Sequence, residues 1–140
     1  RVIDSMPIPV CEFGRAHFSK CFKGEASYGI CASKKETYFG FKFHALTTVD
    51  GFLTDYVITP ANIDDRNAVW DLCDKYRSIS IIGDKGYINK RLTPELKSER
   101  DIDLLFLKRA NSRDNYPKEV RQLLFKVRRR IETSFSQLTE

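Results

Sequence analysis

Three carboxylates stand at positions from which side chains can converge. Asp4 follows Val2-Ile3, two β-branched residues that open a strand. Asp84 follows the short apolar strand Ser80-Ile81-Ile82-Gly83 and begins Asp84-Lys85-Gly86-Tyr87. Ligand sites in open α/β sheets favour that carboxyl end of a strand. Glu132 lies in Arg128-Arg129-Arg130-Ile131-Glu132, on a helix whose apolar stripe is Val120, Leu124, Val127, Ile131 and Leu138. At ~100° per residue Glu132 falls beside that stripe, in line with Arg121, Phe125 and Arg128, and can lean over a sheet edge. Two Asp on strands and one Glu on a helix are hard oxygen donors of the kind that hold magnesium or manganese. Phosphodiester chemistry needs its attacking and leaving oxygens stabilised at once, which two metal ions ~4 Å apart accomplish. Each residue also has an ordinary reading. Asp4 can mark a strand end, Asp84 can close a tight turn on its own backbone, and Glu132 can pair with Arg128 at i, i+4 on a solvated face.

Positive charge gathers near Glu132. The formal net charge is +5, yet residues 108 to 130 hold nine basic side chains (Lys108, Arg109, Arg113, Lys118, Arg121, Lys126, Arg128, Arg129, Arg130) against Asp114 and Glu119. That surplus of seven leaves the other 117 residues at −2. A basic stretch on a near-neutral body is the electrostatic footprint of a polyanion binder; the alternative is a solvated helix face.

Periodicity and turn chemistry outline the elements that must position these groups. A short first strand carries Asp4, with Pro7 and Pro9 limiting its pairing. Residues 11 to 37 have no clean period and read as a long loop or excursion. Tyr38 to Val49 alternates as a strand, with Phe39, Phe41, Phe43 and Ala45 on one face and Lys42 and His44 on the other. Asp50-Gly51 signals a hairpin returning as a strand over Phe52 to Thr59. A helix follows from about Ile63 to Tyr76, with Asn62 as its cap. The strand before Asp84, a helix over 89 to 100, a strand over Ile102 to Leu107, the polar loop Arg109 to Tyr116 and a long helix after Pro117 complete the order. Three antiparallel strands followed by βα units predict an α/β fold, a mixed five-stranded sheet with helices packed on it.

The 140 residues suit one domain, and 41% hydrophobic content with 12% aromatics excludes a disordered tail. No apolar run is long enough to span a bilayer and no leader is visible, so a cytoplasmic protein with no membrane partner is expected. The four cysteines form no C-x-x-C pair and stand at no familiar zinc spacing from His17 or His44, so they read as reduced and mostly packed. The chain opens at Arg1 on a strand and stops at Glu140 within a helix, so further sequence is expected on both sides.

The motifs together resemble the DDE transposases of bacterial insertion sequences, along essentially all of residues 1–140. Val2-Ile3-Asp4-Ser5 with Pro7, Pro9 and Cys11 is similar to the segment around that family's first Asp. Tyr38-Phe39-Gly40-Phe41-Lys42-Phe43-His44-Ala45 with Asp50-Gly51 resembles its second and third strands, and Thr59-Pro60-Ala61-Asn62 with Asp65 its strand-to-helix join. Gly83-Asp84-Lys85-Gly86-Tyr87 matches the region of the second Asp, and Arg128, Ile131, Glu132, Thr133, Phe135 and Ser136 match the helix bearing the Glu. Two positions depart from related families: Phe125 stands in place of a Tyr and Thr139 in place of a Lys, so roles assigned to those two do not carry over.

The resemblance implies a ribonuclease-H-like core in which the first and fourth strands are parallel neighbours and the last helix delivers Glu132. It implies that Asp4, Asp84 and Glu132 hold two Mg²⁺ or Mn²⁺ ions, that water cuts the DNA at an element end, and that the freed 3′-hydroxyl attacks target DNA. No covalent protein–DNA intermediate is expected. DNA is the expected partner, a homo-oligomer the expected active form, and a bacterial or archaeal nucleoid the expected location. Lys85 and Arg128, each beside a proposed catalytic carboxylate, are the first choices for phosphate. Arg121, Lys126, Arg129, Lys42 and His44 are further DNA candidates, although a lone strand His is more often structural. The competing readings are a metal-dependent nuclease on the same fold and a non-catalytic DNA-binding remnant. Little or no transposition is expected from residues 1–140 alone.

Overall fold

The computed structural model describes residues 1–31, 34–87, 90–106, 113 and 116–139, with the side chain of Lys85 excepted. Among these residues, six strands build one mixed sheet and three α-helices pack on it. The strands are β1 (Val2–Pro9), β2 (Ser27–Cys31), β3 (Glu36–Thr47), β4 (Leu53–Pro60), β5 (Ser80–Gly83) and β6 (Asp103–Phe106). The helices are α1 (Asp65–Leu72), α2 (Leu92–Arg100) and α3 (Lys118–Leu138). Antiparallel pairing joins β1, β3 and β4, whereas β1–β5 and β5–β6 are parallel.

β1 extends further than its prolines led us to expect, pairing with β3 from Val2↔Thr47 to Pro9↔Gly40. The reason is which edge the prolines face. The Val10 amide donates to the Phe39 carbonyl at 3.0 Å, so even-numbered amides of β1 point at β3. Pro7 and Pro9, lacking an N–H, fall on the other edge, where they break no ladder bond. On that edge β5 meets β1 only at Val2↔Ile82, and β1 continues beyond it. Gly40 allows the close approach on the first edge, because a Cβ there would lie 2.1 Å from the Ile8 carbonyl oxygen.

The segment 11–37 is not simply a loop. It holds a 3-10 turn at Phe13–Arg15 and the strand β2, whose Ser27–Cys31 pairs antiparallel with Gly40–Glu36. The sheet therefore has six strands rather than the five expected. Because β1 and β4 take residues 40–47 of β3, β2 uses the part of β3 that extends past them. β2 lacked a periodic signal because it buries little: Ile30 is 73% exposed.

Helix α1 is shorter than expected. Asp64, not Asn62, caps it, accepting from the Arg66 amide at 2.9 Å, while Asn62 is engaged with Ser27. Leu107 and most of the loop from Arg109 to Tyr116 lie outside the described residues, as do Lys108 and Arg109 of the basic stretch.

The pleat sends alternate residues to two cores. Ile3, Leu46, Ile81 and Leu104 join Val69, Leu72, Leu96 and Tyr87 under α1 and α2. Val2 joins Val127 and Ile131 of α3 on the opposite face, with Ile82 and Phe135 beside them. The Asp50-Gly51 turn forms as expected, Gly51 taking φ 94°, and α3 is fastened to it. Ser134 donates to the Gly51 carbonyl at 2.6 Å and Arg130 to the Val49 carbonyl at 2.9 Å. Ile131 has no exposed surface, so Ile131→Ala is expected to lower the unfolding free energy by about 2–5 kcal/mol in urea titration. A loss under about 1 kcal/mol would mean that α3 is not held by this core.

Candidate active site

Each candidate carboxylate is positioned by a different part of the sheet. Asp4 lies on β1 with Val2, on the face that α3 covers, and its Oδ1 accepts the Ser5 amide at 2.8 Å. Asp84 directly follows Gly83 at the end of β5, where its carbonyl accepts the Tyr87 amide at 3.1 Å and starts a 3-10 turn. Glu132 is on α3, one turn after Arg128. All three border one cleft of about 780 Å³, together with Ser5, Lys42, Asp65, Tyr87 and Arg128. The cleft opens where β1 has outrun β5.

Charge organises this end of the cleft. The Arg128 guanidinium lies 3.4 Å from one Asp84 oxygen, 3.5 Å from the other, and 3.9 Å from Glu132 Oε1. Burial pushes the Asp4 carboxyl up from 3.8 to about 6, with the negative charges of Asp84 and Glu132 adding to the rise. The Ser5 amide and Arg128 oppose it. Among the described residues no three His, Cys, Asp or Glu side chains are arranged as a ready metal site. The donor chemistry nevertheless suits a hard divalent ion, since the carboxylates supply only oxygen and one of them is raised by burial and by its acidic neighbours.

A raised carboxyl favours the folded chain below its unfolded value, and that advantage is lost as pH rises through the folded value. For Asp4 the window runs from 3.8 to about 6. In EDTA at pH 7, Asp4→Asn is therefore expected to melt at a higher temperature than wild type and to lose pH dependence within that window. Magnesium in large excess should raise the wild-type melting temperature and leave the variant's nearly unchanged. A variant that melts lower at pH 7 with an unchanged pH slope would show that Asp4 is not under charge strain.

The basic candidates separate into groups. Arg128 and Lys42 border the cleft, Lys42 held by Asp65 at 2.7 Å. Lys126 and Arg129 lie elsewhere on α3, along a shallow groove with Gln122, Phe125 and Thr133. Arg121 is half-buried, its Nε without a hydrogen-bond partner. His44 corrects an expectation: it has no exposed surface and pairs with Thr59 Oγ1 at 3.0 Å, so as placed it cannot touch DNA. Burial also lowers its pKa. Lys85 opens the turn after Asp84, and its side chain lies outside the described part.

Periodicity did not single out Asp65, Tyr38 or Tyr87, which also line the cleft. The Tyr38 hydroxyl is buried without a partner, and burial raises its pKa to about 12. Asp65 is the first residue of α1, and its only signal in the chain was its place after Pro60-Ala61-Asn62.

A family model described as the transposase DDE domain matches residues 1–140. The chain belongs to the transposase DDE domain family. Searches among curated proteins and among solved structures found no match. Membership brings a transposase-type function, with DNA as the partner. No helix among the described residues of this transposase domain is long and apolar enough to cross a membrane.

Proposed function

We propose that this domain is the catalytic core of the transposase, cutting DNA at element ends and joining the freed 3′ end to target DNA, with Asp4, Asp84 and Glu132 as the catalytic carboxylates. One observation carries the reading: carboxylates from β1, from the end of β5 and from α3 border a single cleft, and one arginine faces two of them. The antiparallel β1–β3–β4 set beside parallel β5 and β6 supports a ribonuclease-H-like core. Asp4, Asp84 and Glu132 would hold two Mg²⁺ or Mn²⁺ ions. Such ions stabilise the attacking and leaving oxygens of a phosphodiester together.

The chain's own residues do the rest. The cleft takes the scissile phosphodiester against the carboxylates, and Arg128 neutralises one of its oxygens. Lys42, oriented by Asp65, meets the strand farther along the same cleft. Lys126 and Arg129 contact flanking backbone phosphates from α3, and the active form is a homo-oligomer. No side chain becomes attached to DNA, because water and a DNA hydroxyl are the nucleophiles.

A strand-transfer assay with the full transposase, uncut element ends and a target plasmid in Mg²⁺ tests this. Joined products are expected. Cutting without joining would leave a simple nuclease, and metal-indifferent binding without either product would leave a non-catalytic DNA-binding remnant.

A further inference from the structure

Arg128 stands among the groups that would hold the cation. Its fork faces both Asp84 oxygens at 3.4 and 3.5 Å and reaches Glu132 at 3.9 Å, and its charge also acts on Asp4. One guanidinium thus faces two of the three carboxylates, and no metal-ready group forms among the described residues around it. These separations exceed the ~2.7–2.9 Å of a fitted charge-assisted hydrogen bond. Arg128 is held by charge more than by directed bonds, and at 27% side-chain exposure it has a path towards solvent. A guanidinium at these oxygens repels a divalent ion and occupies lone pairs that the ion would use.

We propose that Arg128 is an internal counter-ion that competes with divalent metal for Asp84 and Glu132, and that bound DNA draws it onto a phosphate and opens the carboxylates to the ion. The proposal rests on the carboxylate reading above and adds regulation to it. Metal and DNA then bind cooperatively, and the coupling is reciprocal by thermodynamic linkage. A metal-loaded site would be scarce on the free protein and would form on the substrate.

The test is Mn²⁺ binding to the intact chain without DNA, followed by the EPR signal of free Mn²⁺. Arg128→Gln is expected to bind Mn²⁺ about ten-fold tighter than wild type, within the usual range of site-to-site coupling. Arg15→Gln removes one charge from an exposed turn and serves as the net-charge control, with affinity expected within about two-fold because distant exposed charges are screened. A short duplex should tighten Mn²⁺ binding in wild type and much less in Arg128→Gln. Unchanged or weaker Mn²⁺ binding by Arg128→Gln overturns the proposal. If Asp84→Asn and Glu132→Gln abolish Mn²⁺ binding while Arg128→Gln matches wild type, the carboxylate site stands and the competition falls. If neither carboxylate variant changes Mn²⁺ binding, both ideas fall. Should Arg128→Gln fail to melt cooperatively, Arg128→Met replaces it, keeping the apolar stem but not the charge; tighter binding is again expected, and equal binding overturns the proposal.

Discussion

Asp4→Asn, Asp84→Asn and Glu132→Gln are each expected to lower DNA cleavage and joining by on the order of 10³-fold or more, because each removes one of the proposed anionic metal ligands, whose ions stabilise the transition state by several kcal/mol. Each swap keeps the shape of the side chain and removes one negative charge. DNA affinity should stay within a few-fold of wild type, since the phosphate partners assigned to Lys42, Lys126 and Arg129 remain. Asp4 is the sharpest of the three. It is the most enclosed, its carboxyl is raised to about 6, and its two acidic neighbours contribute to that rise. A folded variant at any of the three positions with near-normal cleavage in gel-based end-cutting assays would exclude that residue from the chemistry.

Neutralising Lys126 and Arg129 together should have the next largest effect, on DNA binding rather than on catalysis. Both line the α3 groove, whose lining includes none of the three carboxylates. Removing one phosphate-neutralising charge should flatten the plot of log K against log salt by about 0.9. The double Gln variant is therefore expected to lose nearly two units of slope in anisotropy titrations of a duplex between about 50 and 200 mM KCl, a range where such charges dominate affinity. The weakening should be similar for all sequences, because binding to phosphate carries no base information. An unchanged slope would move the DNA path off this groove. Arg130 is left out of the variant because it ties α3 to the hairpin through Val49 and Asp50, so its removal would mix folding with binding.

Much of the architecture is legible in the chain itself. Alternation in β3, the Asp50-Gly51 turn and the apolar stripe of α3 are local patterns, set by the pleat, by glycine's access to positive φ and by the helical period. β2 and the true length of β1 were not legible. β2 pairs with the stretch of chain that directly follows it, Cys31 against Glu36, but buries too little to leave an apolar alternation, and β1 depends on which edge its prolines face. His44 shows the same limit. Alternation placed it opposite Phe43, but both faces of the sheet are covered, so pleat parity alone could not say that it was sealed.

The sequence alone determined which residues are able to do chemistry here, because residue type and local period decide donor chemistry and helix phase. It also determined, through motifs spread along all 140 residues, the family to which the chain belongs. Only the tertiary structure decided how those groups meet. The parallel contact of β5 with β1 at Val2 sets the strand end bearing Asp84 beside Asp4, and the packing of Val127 and Ile131 on Val2 sets Glu132 over the same cleft. It alone set Arg128 among the carboxylates and sent Lys126 and Arg129 to another groove. Neighbours on α3 point in directions ~100° apart, and which direction meets the cleft depends on how the whole helix seats on the sheet.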